Sequence, residues 1–350
     1  MLSKDNFTEQ HIRYLQDISK KDPAILERTV YAFGLLEALK RVDMPFVFKG
    51  GTSLMLLLKH PQRLSTDIDI VVPLGTDVDG YIDAASRLFP FKAREEDIRI
   101  GKNKIAKRHY KFIYESPVHH DDLYILLDVL FEDCCYESVV VKEITNELLI
   151  NEGECLTVNV PAAESMLGDK LTAFAPHTIG ILLDAPNKRV MEIMKQMYDV
   201  SSLVDICFDF KEVHRTYSKI LEAENSYRGT QYTERQCLED TINASVCIAS
   251  RGQYNPQDYS EYVRGIRNLR THIFDEQYTP ELAILRATKI IYLATCIIAD
   301  EDYSPVGNFR KYLDERLETD RFLVLKNLRK GNPLAYAYVV KADRILLNLR

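Results

Sequence analysis

Several features that would place a chain at once are missing from these 350 residues. The seven cysteines, at positions 134, 135, 155, 207, 237, 247 and 296, are odd in number and mostly sit in apolar segments. They show neither C-x-x-C nor paired Cys/His spacing, which speaks against a zinc site and for buried, reduced thiols. By eye, no apolar run reaches the roughly 20 residues needed to span a bilayer. The polar start MLSKDNFTEQ lacks the hydrophobic stretch of a secretory signal, so the expected location is the cytoplasm, with no membrane partner. Positive charge is not in excess: the net charge of −7 argues against indiscriminate wrapping of a duplex and leaves room for a local basic patch. There is no internal repeat and no low-complexity linker.

What remains is an ordinary globular composition, 46% hydrophobic and 28% charged, in a chain long enough for two moderate domains. Helical spacing of Ile25, Val30, Phe33, Leu36 and Leu39 after an Asp22/Pro23 start marks the first 45 residues as helical. From Pro45 to about Val160, short β-rich runs dominate: FVFKG, DIDIVV, KRHYKFIYE, LYILLDVLF, SVVVKEI and LTVNV. Helices are suggested at GTSLMLLLKH and VDGYIDAASRLF. Beyond Pro161 the helical period takes over, most clearly in PAAESMLGDKLTAFA, NKRVMEIMKQMYDVSSLVD and PELAILRATKIIYLATCIIAD. The expected architecture is an α/β (α+β) domain over residues 1–160 and a helical domain over 161–350.

One stretch, GGTSLMLLLKHPQRLSTDIDIVV, raises a chemical question, because Asp67 and Asp69 stand inside a row of β-branched residues. Alternation along a strand puts Ile68, Ile70 and Val72 on one face and Ser65, Asp67 and Asp69 on the other. Neighbouring carboxylates repel unless a divalent cation sits between them, and Mg²⁺ takes such hard oxygen ligands together with waters and substrate phosphates. A bare D-x-D equally fits a solvent-facing edge strand. The residues upstream shift the balance. Gly50 and Gly51 follow the apolar FVF run, and Thr52 and Ser53 are placed to cap a helix with an apolar stripe at Leu54, Leu57 and Leu58. Free N–H groups at a helix start beside small side chains make a phosphate seat.

Asp128 supplies a third carboxylate. It lies within YILLDVLF, a run read as apolar on both faces, where an ionised aspartate is costly unless compensated; a metal shared with Asp67 and Asp69, or backbone amides at a strand end, would do so. Lys170 shares the i, i+3, i+4, i+7 stripe of Leu167, Leu171 and Phe174. Either it meets an anion such as a nucleotide phosphate or it snorkels at the stripe's margin. Asp199, by its residues alone, pairs with Lys195 one turn earlier. His119-His120-Asp121-Asp122, after Pro117, fits a solvated turn, and His177 fits capping or packing after a helix. In GKNKIAKRHYKF, Lys102, Lys104, Lys107, Arg108 and Lys111 form a local basic run. It suits either an RNA backbone or an edge strand protected by lysines.

Gly50-Gly51-Thr52-Ser53 followed by Asp67-Ile68-Asp69, with Asp128 on a later strand, resembles the DNA polymerase β-type nucleotidyltransferase superfamily. More closely, FKGGTSLMLL, RLSTDIDIVV, ESMLGDKLTAFAPHTIG and KQMYDVSSLVD together resemble the AbiEii-type nucleotidyltransferase toxins, over roughly residues 45–207. The resemblance implies a polymerase β-type domain with a mixed sheet, followed by a helical domain that completes the active-site cleft. It implies transfer of NMP from an NTP to an acceptor hydroxyl, with Mg²⁺ or Mn²⁺, in a toxin held in check by an antitoxin. On that basis Asp67, Asp69 and Asp128 bind metal, and Asp128 helps deprotonate the acceptor. Gly50, Gly51, Thr52 and Ser53 cradle phosphates, while Lys170 and Asp199 belong to the active site. The expected acceptor is RNA, a tRNA 3′ end. A small-molecule or protein acceptor, and a nucleotide- or RNA-binding module with a degenerate site, are the alternatives.

Overall fold

A computed structural model describes residues 1–96, 106–187 and 189–349. The chain divides into two compact units, residues 1–162 with 271–276, and residues 163–270 with 277–350. A boundary at 160/161 would give segment 271–276 to the helical part, but it packs with the first unit. There Leu64 N–H donates to the His272 carbonyl (2.7 Å), Phe274 N–H donates to the Gln62 carbonyl (2.8 Å), and Ile273 is fully buried.

In the first unit, α1 (Glu9–Ser19) and α2 (Pro23–Arg41) lead, the second capped by Asp22, whose carboxylate accepts from Ala24 N–H. The remaining elements are β1 (Val47–Lys49), α3 (Gly50–Leu57), β2 (Asp67–Val72), α4 (Asp79–Ala85), β3 (Phe91–Glu96), β4 (Lys107–Glu115) and β5 (Asp122–Phe131). They build a mixed five-stranded sheet of order β1-β2-β5-β4-β3, in which β2 and β5 run parallel and the other neighbours antiparallel. A separate ribbon pairs β6 (Val139–Glu143) with β7 (Thr157–Pro161).

Period-2 alternation gives this sheet two different faces. Ile68 and Ile70 of β2, Ile125 and Leu127 of β5, and Tyr110 and Phe112 of β4 share one buried core with Phe33 and Leu36 of α2. The opposite face mixes polar residues with apolar ones such as Val71, Leu126 and Leu130. Strand β3 was not foreseen: FKAREE buries only Phe91 well, and such a charged edge strand leaves almost no apolar alternation to detect.

The second unit is helical: α5 (Ala163–Ala173), α6 (Val190–Leu203), α7 (Phe210–Arg228), α8 (Glu234–Ala249), α9 (Pro256–Leu269), α10 (Pro280–Ala299), α11 (Leu328–Gly331) and α12 (Pro333–Asn348). Helix α10 corrects the expectation that no apolar run is long enough for a bilayer: by length and composition it is. Most of it is buried inside this unit, against α6, α8 and α12. The thiols also depart from expectation in part. Cys207, Cys237, Cys247 and Cys296 are buried and all seven are free, but Cys134 is exposed, and Cys135 and Cys155 are half-buried.

Candidate active site

Strand register assembles the site in the first unit. Asp69 of β2 stands opposite Asp128 of β5, and Asp128 stands opposite His109 of β4, so the three form one rung across neighbouring strands. Asp67 is two residues before Asp69 and therefore on the same face. This face carries Leu126 and Leu130, both half-buried, beside Asp128. The run around Asp128 is thus apolar on both faces but closed on one side only, and the Asp128 side chain keeps 36% of its exposure. The cost of an ion in a sealed strand, inferred from sequence, does not arise.

His109 is the residue that sequence reading passed over. Its Nδ1 lies 2.7 Å from Asp128 Oδ1, and its side chain is only 15% exposed. The one signal available was its place in the basic run, 19 residues from Asp128 along the sequence but directly opposite it in the sheet.

The glycine turn meets the rung at Gly50. Its φ of +79° lies in the left-handed region, and a Cβ there would sit 2.8 Å from Asp69 Cγ and 2.9 Å from Asp69 Cβ, with Oδ2 closer still. Only glycine lets this turn lie against the Asp69 carboxylate. Gly50→Ala is therefore expected to cost about 1–2 kcal/mol for the left-handed backbone alone and to push β2 out of register with β5. Denaturant unfolding checks the first effect, and a transfer assay the second.

Thr52 and Ser53 do not cap α3, because the helix begins before them, after Lys49, which makes no side-chain cap. Both are fully buried. The Thr52 hydroxyl donates to the Asp67 carbonyl (2.6 Å) and the Ser53 hydroxyl to the Gly50 carbonyl (2.9 Å), so they brace the turn and tie α3 to β2. The buried part of α3 runs Thr52–Leu56 rather than along Leu57 and Leu58. Arg63, also buried, lies with its guanidinium against Gly51, where a Cβ would come within 2.5 Å of Nη2.

The basic run is divided by the sheet. Lys102 and Lys104 lie outside the described residues. Lys107 and Lys111 flank His109 on the carboxylate face, opposite Leu130 and Leu126. Arg108 points away and is engaged, with Nε 2.8 Å from Glu96 Oε1 and Nη2 2.8 Å from Asp79 Oδ1. Its hydrogen bonds hold both carboxyls below their ordinary pKa. His119 to Asp122 are exposed in a turn closed by Ser116 N–H and the Asp121 carbonyl.

In the helical unit, Lys170 of α5 and Asp199 of α6 come together, with Nζ 3.3 Å from Oδ2 and side chains 8% and 1% exposed. Lys170 therefore has a protein counter-ion, and it does not snorkel. Lys195 lies 3.8 Å from Glu192. His177 neither caps a helix nor packs passively. Its Nε2 is 2.7 Å from Asp258 Oδ2, and its N–H donates to Asp240, whose carboxyl burial raises in pKa. These three residues line a cavity of about 950 Å³ that none of the sequence-predicted site residues touches.

The family resemblance implies a divalent cation, and the chemistry of the donors present is compatible with one. Asp69 and Asp128 offer hard carboxylate oxygens on adjacent strands, and Gly50 keeps a side chain off Asp69. Among the described residues no three or more acidic, His or Cys groups form a ready cage. Asp67, Asp69 and Asp128, expected from sequence as one set of three ligands, are therefore not gathered into such a cluster.

Two solved structures from Helicobacter pylori resemble the chain in part. JHP933 aligns at 15% identity and a TM-score of 0.44 over 77% of this chain and 92% of its own. A candidate nucleotidyltransferase aligns at 16% identity and 0.43 over 79% and 99%. Comparison with curated proteins gives no match. The family profile described as "Nucleotidyl transferase AbiEii toxin, Type IV TA system" matches residues 35–282, most of the chain and all of the rung. The chain belongs to this AbiEii family of nucleotidyltransferase toxins, whose type IV systems imply an antitoxin partner.

Proposed function

We propose that the protein transfers a nucleoside monophosphate from an NTP to a hydroxyl of RNA, a tRNA 3′ end, with Mg²⁺ or Mn²⁺, as the toxin of its pair. The observation that carries this reading is the Asp69–Asp128 rung against the Gly50 turn. Asp67, Asp69 and Asp128 would hold the cation, which when bound stabilises charge on the attacking and leaving oxygens. Gly50 and Gly51, at the start of α3, would present backbone N–H groups to the triphosphate, with Thr52 and Ser53 holding that turn in shape. Asp128 would take the proton of the acceptor hydroxyl as its oxygen bonds to the α-phosphorus and the bond to the β-phosphate breaks, releasing pyrophosphate. The family resemblance also assigns Lys170 and Asp199 to the active site; here the two pair with each other inside the helical unit.

Support for RNA as acceptor comes from β4, where Lys107 and Lys111 share the face of Asp128. Incubating the protein with each radiolabelled NTP and total cellular RNA and protein is expected to put label on RNA and release pyrophosphate. Lys107→Glu and Lys111→Glu should each flatten the slope of log affinity against log salt by about 0.7 to 0.9. Label on protein or on a small molecule would replace the acceptor assignment, and no pyrophosphate release with any NTP would leave a binding module. In cells, expression is expected to slow growth, relieved by the protein of the adjacent gene and absent in Asp69→Asn.

A further inference from the structure

We infer that His109 is the positioning residue for Asp128. Among the described residues, His109 is the hydrogen-bonding partner recorded for this carboxylate, at 2.7 Å between Nδ1 and Oδ1. An ionised carboxylate only accepts, so the ring nitrogen facing it carries the proton: Nδ1–H donates to Oδ1. That bond removes one of the two oxygens from competition and leaves Oδ2 as the one His109 does not engage. It also fixes the plane of a side chain that is otherwise 36% exposed and free to rotate about its terminal torsion.

The ring is itself held. His109 is 15% exposed, on a central strand between β5 and β3, with β5 supplying its partner and the register fixing the pair opposite each other. The arrangement is that of an outer partner orienting an inner ligand, the role that conditions metal affinity at many sites. Asp69 has a different device for the same purpose, since the Gly50 turn packs against its carboxylate. The two acids of the rung are thus oriented from opposite ends, one by a backbone turn and one by an imidazole.

This inference rests on the proposed role of Asp128, and the experiment separates the two. Mn²⁺ affinity is measured by electron paramagnetic resonance on the full-length protein, beside turnover and thermal melting, for His109→Ala, His109→Asn and His109→Gln. Asparagine places an amide N–H about where Nδ1–H stands; glutamine places it about where Nε2 stands. His109→Ala is expected to lose about 10- to 100-fold in Mn²⁺ affinity and in kcat, with KM for the NTP little changed. His109→Asn is expected to recover most of both, and His109→Gln little. Native affinity and turnover in His109→Ala, or no recovery in a His109→Asn variant that melts normally, would overturn the assignment. If Asp69→Asn abolishes Mn²⁺ binding while His109→Ala keeps it, the site reading stands and the His109 role fails. If the unsubstituted protein binds no Mn²⁺, the reading of the rung itself fails, and the positioning role with it.

Discussion

Asp69→Asn is expected to cut nucleotide transfer by about a thousandfold while leaving the melting temperature nearly unchanged, and Asp128→Asn and Asp67→Asn to follow it. Asparagine keeps the shape of aspartate and removes the charge, so the effect isolates electrostatics from packing. Asp69 is the most exacting of the three positions, because it stands opposite Asp128 in the register and against the Gly50 turn at once. Pyrophosphate release with Mg²⁺ is the measurement, and circular dichroism confirms the fold. Near-normal activity in all three variants would remove the carboxylates from the chemistry and leave the rung as a structural feature.

The largest expected loss of stability lies in the helical unit. Lys170→Ala deletes the ammonium 3.3 Å from a carboxylate that is 1% exposed. Breaking a buried ion pair from one side typically costs about 3–5 kcal/mol, because the remaining charge keeps its desolvation penalty. A fall of that size in chemical denaturation is expected. The double variant Lys170→Met/Asp199→Leu should regain much of it, since an apolar pair of similar volume is often neutral or better. Transfer is then assayed in the double variant once its melting has recovered. Activity retained there would confine the pair to structure, whereas activity lost despite recovered stability would give it the role in transfer that the family resemblance assigns.

The sheet and its acidic strand β2 were legible because their signals are local. DIDIVV and KRHYKFIYE coincide with β2 and β4 to the residue, as apolar alternation bounded by polar turns allows. Legible too was the sidedness of Asp67 and Asp69, which follows from strand parity alone. What depends on pairing was not. The partnership of His109 with Asp128 arises from β4–β5 register, and that of Lys170 with Asp199 from the packing of α5 on α6. Neither leaves a spacing in the sequence. Thr52 and Ser53 were misplaced as caps because their residue types favour that position, while the glycine pair starts the helix one turn sooner. Helix α10 escaped notice as a 20-residue apolar element because Glu281, Arg286 and Lys289 interrupt it early.

The clamp made by residues 271–276 has a temporal side. The lead-in to β2, around Gln62 to Leu64, takes its backbone partners from His272 and Phe274. On a ribosome adding about 5–20 residues per second, those partners emerge on the order of tens of seconds after the strand they secure. A nascent chain that already carries Asp67, Asp69, Asp128 and the α5–α6 pair still lacks them. For a protein of a growth-poisoning family, translation that aborts before residue 271 therefore releases the acidic residues without the segment that seats their strand. The five strands are all made by residue 131, yet the approach to β2 waits for a segment about 140 residues further along the chain to secure it.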